Sequence, residues 1–412
     1  MNYFFLKIIS IAVFFQMLAI SCTDVNNNNQ KEIEEFPLIL ISIDGFRWDY
    51  FEKTSTPNLD KIIQRGVKAD GLETVYPSKT FPNHVTIVTG RYPDNHGIIG
   101  NYFYDQDFQE YFYIGANSEP AKDGKWLQSE PIWVTAEKNS KKAMIMFWPM
   151  SEAEFMGIRP TEYYAYSNDY SYEQRVQQIL NWLDYEEEQK PSFLATYFNR
   201  VDGAGHSFGP ESQQVIDAIK DVDSAIGMLI DGLESRNIFD KVNLMIVSDH
   251  GMIETPQEKA IDVSSFVDLS NVITVSRGEY LMLRPSEDRI SSLYDELKQV
   301  PNTRVFTKQE MYDEFKWGLN DRIEPLILVP DEQWTVWTDT SRKPLAGTHG
   351  YDPGLRSMDG IFVASGPNFK EGYSGSRVSN IHLYALMCNL LDIEPAQNDG
   401  YLYRISEFLN RD

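Results

Sequence analysis

Three features of the chain predict an α/β protein, built on an open, mainly parallel sheet flanked by helices and carrying a smaller inserted α+β domain. Short apolar runs recur, each leading to a polar residue able to bind metal; helical periods lie between them; and one long stretch has a different texture. The runs are Leu38 to Ile43 followed by Asp44, Phe193 to Phe198 leading to Asp202, and Val242 to Val247 followed by Ser248-Asp249-His250. Apolar runs of that length without strict alternation suit strands buried on both faces of a parallel sheet. Ile216, Ile219, Val222, Ile226, Leu229 and Leu233 fall at three- and four-residue steps, which predicts an amphipathic helix over Gln213 to Leu233. In such sheets ligands gather beyond the carboxyl ends of strands, where all three runs place acidic groups.

The stretch from about Ser264 to Trp337 reads differently. Short mixed strands (Tyr280 to Leu283, Leu326 to Val329) surround a helix predicted over Ser286 to Val300, and no metal-type constellation occurs there. The strand Gly360 to Ser365 and a helix near His382 to Leu391 then complete the main sheet. The predicted organisation is a catalytic domain over 37–263 and 346–412, interrupted by an inserted subdomain over 264–345.

Ahead of these elements, Lys7, the largely apolar Ile8 to Ile20 and the small residues before Cys22 predict an export signal over 1–21. A cysteine directly after the small residues resembles a bacterial lipoprotein signal, with Cys22 as the lipidated first residue, and 22–36 reads as a polar tether. The protein is therefore expected in the periplasm or cell envelope, anchored to a membrane. The other cysteine, Cys388, sits in an apolar run and reads as a buried helix thiol. At 412 residues and 42% hydrophobic content the chain can bury a large core. Its net charge of −24 argues against binding polymeric nucleic acid, so any phosphate must be met locally by metal or backbone.

Three of the six histidines stand beside carboxylates or glycines: Asp202-Gly-Ala-Gly-His206, Asp249-His250-Gly251 and Gly347-Thr-His349-Gly350. Any one of them alone is as well read as a hydrogen-bonded loop residue. Together at strand ends, imidazole and carboxylate without cysteine form a ligand set for Zn²⁺ or a similar ion. The two glycines between Asp202 and His206 predict a tight turn that aims both side chains at one ion. Adding Asp44 and His349 gives six ligands, which suits two ions of the kind that hold the attacking and leaving oxygens of a phosphoryl transfer. Thr80 precedes Phe81-Pro82, and proline is favoured in the first turn of a helix. Thr80 is thus expected at a helix N-terminus, where free N–H groups favour an anion, and next to a metal its hydroxyl becomes a candidate nucleophile.

Asp44-Gly-Phe, Lys79-Thr80-Phe-Pro-Asn-His84, Thr89-Gly-Arg-Tyr-Pro93, His96-Gly-Ile-Ile-Gly-Asn101, Phe147-Trp-Pro149, Asp202-Gly-Ala-Gly-His206, Ser248-Asp-His-Gly-Met252 and His349-Gly-Tyr-Asp352 together resemble the nucleotide pyrophosphatase/phosphodiesterase family of the alkaline phosphatase superfamily. The resemblance implies an alkaline-phosphatase-like fold and two zinc ions, one held by Asp202, His206 and His349 and the other by Asp44, Asp249 and His250. It makes Thr80 a metal-bound nucleophile, and with Asn101 and the Thr80 N–H it binds a phosphate oxygen. Phe81 would stack on a nucleobase, with Tyr166 as its partner from Tyr163-Tyr-Ala-Tyr166. The implied reaction is hydrolysis of phosphodiester or pyrophosphate bonds of nucleotides and related small diesters through a phospho-threonine, releasing a nucleoside monophosphate. Between Asn101 and Pro131 the chain departs from the animal members, and Lys122 or Lys125 is the candidate for contact with distal phosphates. The same frame supports phosphomonoester hydrolysis or removal of choline-type headgroups from lipids. The absence of a Lys-x-Arg near Tyr163 favours diesters over monoesters, and the complete ligand set disfavours a non-enzymatic surface protein.

Overall fold

The computed structural model describes residues 36–115, 118–276, 278–338 and 343–410. The predicted signal, Cys22 and the tether up to residue 35 lie outside them.

Every residue of strand β1 (Leu38–Ile43) is buried, as a strand covered on both faces requires. Ile39, Ile41 and Ile43 enter one apolar cluster, whereas Leu38 and Leu40 enter another on the opposite face. Burying each such side chain contributes roughly 2 kcal/mol relative to leaving it exposed. The remaining strands of the main sheet are β2 (Gly66–Ala69), β3 (Ala143–Met146), β4 (Glu162–Tyr164), β5 (Phe193–Phe198), β6 (Asn243–Val247), β7 (Phe362–Ser365) and β8 (Tyr373–Gly375). Their spatial order is β8-β2-β7-β6-β1-β5-β3-β4. β1 runs parallel to both β5 and β6, with Ile43 opposite Phe198 and Ser42 opposite Val247. That register makes the three chain segments leave the sheet side by side, which is what brings Asp44, Asp202 and Asp249 together. β7 runs antiparallel to β6 and β2, a direction that an apolar run does not encode.

Helices α1 (Pro57–Gln64), α3 (Tyr172–Leu183) and α5 (Gln213–Ser235) cover one face; α2 (Thr80–Thr89) and α6 (Leu383–Leu390) cover the other; α4 (Arg200–Phe208) stands beyond the end of β5. The predicted period of α5 holds at Ile219, Val222, Ile226, Leu229 and Leu233, which are all buried, but at its start Val215 turns inward in place of Ile216, which is half-buried; the Ser212 side chain caps the helix by accepting from Val215 N. Asp223 on the same helix accepts from the Asn58 and Leu59 N–H groups, so a buried carboxylate satisfies donors at the open N-terminus of α1. Cys388 lies buried in α6, and burial pushes its thiol up to about 12.

Strands Ile273–Val275, Leu281–Arg284, Leu326–Pro330 and Thr303–Thr307 form a separate antiparallel sheet in that order. The helix expected over Ser286 to Val300 is α-helical over Ile290–Leu297, after a 3₁₀ turn at Glu287–Arg289. This sheet does not stand alone: Val275, Tyr280 and Met282 share an apolar cluster with Tyr76, Val85, Ile99 and Phe103. Among the described residues no helix is long and apolar enough to cross a membrane.

Candidate active site

Asp44 follows β1 directly, and its neighbour Gly45 adopts φ +68°. A side chain at Gly45 would lie 2.9 Å from the Asp202 Cα, so glycine here permits both the turn and the close approach of the second carboxylate. The expected tight turn between Asp202 and His206 is not formed. Both residues lie in α4, four apart, and their side chains reach one point because i and i+4 share a helix face. Two glycines in five residues suggest a turn. Gly205 is instead a packing requirement, because a Cβ there would meet the Met252 side chain at 2.9 Å.

The ligand-type atoms converge. Nε2 of His206 lies 3.3 Å from Asp202 Oδ1 and 3.2 Å from His349 Nε2. Nε2 of His250 lies 3.0 Å from Asp249 Oδ2, 3.3 Å from Asp44 Oδ1 and 3.3 Å from Thr80 Oγ1. Each imidazole is oriented by its other nitrogen, which donates to a backbone carbonyl: His206 Nδ1 to Gly347 O at 2.8 Å, His349 Nδ1 to Ser78 O at 2.7 Å, and His250 Nδ1 to Gly251 O at 2.9 Å. That tautomer leaves each Nε2 as a lone pair. Asp44 Oδ1, Asp202 Oδ1 and Asp249 Oδ2 are buried without a hydrogen-bond partner. His84 Nδ1 comes within 3.2 Å of Asp249 Oδ2, but its proton points to Thr80 O at 2.8 Å.

Three carboxylate oxygens without a hydrogen-bond partner thus face three imidazole lone pairs, with the Thr80 hydroxyl as a donor at the edge beside His250 Nε2. Such groups fit divalent cations and little else. Two sets of candidate metal-binding residues result, Asp202–His206–His349 and Asp44–Asp202–His250, with Asp249 beside the second and Asp202 common to both. The electrostatics carry the same strain. Burial, with Asp249 and Asp202 alongside, lifts the Asp44 carboxyl well above the usual carboxylate range. Burial would also lift Asp249, but His250 and His84 outweigh it and hold this group well below that range. Burial opposes the charged form of His250, yet Asp249 raises its pKa, so a proton is drawn to the place where a cation would sit. Burial, His250 and Lys79 push His349 well below the ordinary histidine value.

Thr80 occupies the first position of α2 and is buried, with Lys79 as its N-cap residue. Asn101 Oδ1 accepts the Phe81 N–H at 3.0 Å. Phe81 and Tyr166 line one cavity of about 190 Å³ together with Trp148, Glu152, Lys122 and Asp202. Lys125 turns instead to Glu110. The structure also brings in residues that sequence reasoning passed over. Tyr197 donates to Asp44 Oδ2 from inside an apolar strand, and Glu152 accepts the Tyr166 N–H at 2.8 Å. Tyr197 carried a signal, as the one phenol in the buried run of β5; Glu152 carried none. His96 is structural, buried between Pro82 O and Thr86 Oγ1 and held down to about 3 by burial.

An open α/β sheet with a carboxylate–histidine cluster at the strand ends and a hydroxyl at a helix start defines a member of the alkaline phosphatase superfamily. More narrowly, residues 38–352 match the family described as type I phosphodiesterase / nucleotide pyrophosphatase, and the chain belongs to that family. Human ectonucleotide pyrophosphatase/phosphodiesterase family member 1 is 36% identical over 378 residues, which cover 88% of this chain and 41% of that protein. The chain therefore spans about two fifths of that relative's length. A bis(5′-adenosyl)-triphosphatase of Xenopus laevis is 34% identical over 367 residues, 89% of this chain and 80% of that protein. Among solved structures, murine ectonucleotide pyrophosphatase/phosphodiesterase 5, an inactive threonine-to-alanine variant in complex with AMP, superposes with a TM-score of 0.87 at 30% identity. That match covers 91% of this chain and 100% of the murine one.

If the cluster is strained by like charges, removing one should relieve it when metal is withheld. In chelator, Asp44→Asn is expected to stabilise the protein by about 1–2 kcal/mol. Urea unfolding measures this, and a lower midpoint than wild type would contradict the charge argument.

Proposed function

We propose that the chain is a metal-dependent hydrolase of phosphodiester or pyrophosphate bonds in nucleotides and related small diesters, acting through a phospho-threonine on Thr80 and releasing a nucleoside monophosphate. The observation that carries this reading is the all-acceptor cluster with Thr80 Oγ1 at its edge. Nitrogen and oxygen donors without sulfur suit zinc. Asp202, His206 and His349 would hold one ion, and Asp44, Asp249 and His250 the other, with Thr80 beside the second. Bound there, the ions would supply Lewis acidity to the phosphate and the departing oxygen and ease ionisation of the Thr80 hydroxyl.

The chain's own groups divide the remaining work. Thr80 Oγ1 attacks phosphorus, its proton passing to solvent, and the bond from phosphorus to the leaving oxygen breaks on the side of Asp202, His206 and His349. Water then opens the phospho-threonine and restores the hydroxyl. The Asn101 amide and the N–H groups at the start of α2 meet the negative charge that grows on the non-bridging oxygens. Phe81 and Tyr166 accept a base between aromatic faces, a contact tolerant of base identity. The AMP complex of the murine relative and the activity named for the Xenopus relative support a nucleotide substrate.

The architecture fits the same reading: 264–345 serves as an inserted subdomain beside a catalytic domain of 37–263 and 346–412. Residues 1–21 direct export, and lipid on Cys22 anchors the enzyme in the bacterial cell envelope.

Purified protein is expected to cleave p-nitrophenyl thymidine monophosphate, with loss of at least about 10³-fold in kcat on Thr80→Ala and with loss to EDTA. Near wild-type turnover in Thr80→Ala would remove the nucleophile assignment. On a panel adding p-nitrophenyl phosphate and p-nitrophenyl phosphorylcholine, the nucleotide diester should give the highest kcat/KM; a tenfold advantage for either of the others would overturn the substrate class. Cys22→Ala should release the protein from membranes on fractionation, and a wild type that is itself soluble would refute the anchor.

A further inference from the structure

Asp44 and Asp249, the carboxylates nearest His250, share one pattern: each has one oxygen without a partner and the other held by a donor. Asp249 Oδ2 is unpartnered and lies 3.0 Å from His250 Nε2, while Asp249 Oδ1 accepts the Gly45 N–H at 3.2 Å. Asp44 Oδ1 is unpartnered and lies 3.3 Å from the same nitrogen, while Asp44 Oδ2 accepts from the Tyr197 hydroxyl. Both carboxylates therefore offer an ion a single oxygen. The donor behind Asp249 is backbone, whereas the donor behind Asp44 is a side chain that no step above employs.

Tyr197 is itself held firmly. It stands opposite Ser42 in the parallel pairing of β5 with β1, two residues before Asp44, and is only 8% exposed. Its ring meets those of His84 and Tyr166 edge to face, with centroids 5.4 and 6.1 Å apart. The buried guanidinium of Arg175, in α3, donates from Nη1 to Tyr197 O at 2.5 Å and from Nε to Tyr170 O at 3.2 Å. Taking that charge out of water costs desolvation, and what it secures is the end of β5 from which the phenol projects. Ring packing and backbone thus fix the hydroxyl where Asp44 Oδ2 meets it.

A carboxylate held at neither oxygen turns about its last bond, and an ion that binds it must bear the cost of ordering it. With Tyr197 in place Asp44 is ordered before the ion arrives, its Oδ1 facing His250 and Thr80. Asp44 belongs to the second candidate set alone, whereas Asp202 is common to both, so the effect of the phenol falls on one ion.

We propose that Tyr197 is a positioning residue for the second ion: its hydroxyl holds Asp44 as a one-oxygen ligand, and without it that ion binds weakly while the first is retained. The inference rests on the two-ion reading above, in which Asp44, Asp249 and His250 hold the second ion.

Competition against a chromogenic chelator gives the stepwise zinc dissociation constants of full-length wild type, Tyr197→Phe, Asp44→Asn and the double variant. The constants are measured without substrate, so the place of the Tyr197 ring in the wall of the cavity shared with Phe81 and Tyr166 does not enter. Tyr197→Phe removes one oxygen and keeps the ring that packs on His84 and Tyr166; far-UV circular dichroism checks that it is folded. One of its two constants should rise more than threefold, on a scale of about 10–100-fold, while the other stays within threefold of wild type. On the Asp44→Asn background the effect should vanish. A merely structural phenol would lower the urea midpoint and leave both constants within threefold of wild type, which overturns the proposal, as does an equal rise in both or an undiminished effect in the double variant. A wild type that binds no zinc overturns the two-ion reading itself, and this inference with it.

Discussion

Above the carboxyl ends of β1, β5 and β6, three unpartnered carboxylate oxygens face three imidazole lone pairs, with the Thr80 hydroxyl as a donor at the edge. The imidazoles have no freedom to change this, since Gly347 O, Ser78 O and Gly251 O take the protons of their other nitrogens. The imidazoles are thus held by backbone carbonyls, while the Tyr197 hydroxyl holds Asp44 through its other oxygen. A buried set of acceptors is costly unless a cation satisfies it, and the cost here is carried by a sheet covered on both faces.

Placement of the cluster follows from register. β1, β5 and β6 run parallel, with Ile43 level with Phe198 and Ser42 with Val247, so their exits are adjacent. Helix α4 then carries Asp202 and His206 on one face, α2 delivers Thr80 at its first position, and the Gly347–Thr348 strand brings His349. Each contributor is a regular element or leaves one directly, which limits movement of the reactive atoms. The connection ahead of the Leu281–Arg284 strand adds Glu279, whose carboxylate reaches both Lys79 and Thr348 and so couples the smaller sheet to the centre.

Much of this was legible in the sequence because the physics is local. A strand buried on both faces must be apolar at every position, as Leu38 to Ile43 is, and a helix against such a sheet must repeat as Gln213 to Ser235 does. Pro82 in the first turn marked the start of α2 beside Thr80. What escaped depends on distant contacts. The glycines of Asp202 to His206 suggested a turn because the Met252 contact that makes Gly205 useful lies 47 positions away in sequence. The direction of β7, the Tyr197 hydrogen bond to Asp44 and the Glu279 bridge are fixed by packing between segments that no local pattern connects.

The central claim is that the acceptor cluster exists to hold cations, and the metal content of the purified protein tests it most directly. Inductively coupled plasma mass spectrometry on wild type should give about two equivalents of zinc per chain. In Asp202→Asn, which alters the carboxylate common to both sets, that content should fall. A wild-type protein that carries no divalent metal yet hydrolyses nucleotide diesters at full rate in chelator would contradict the account.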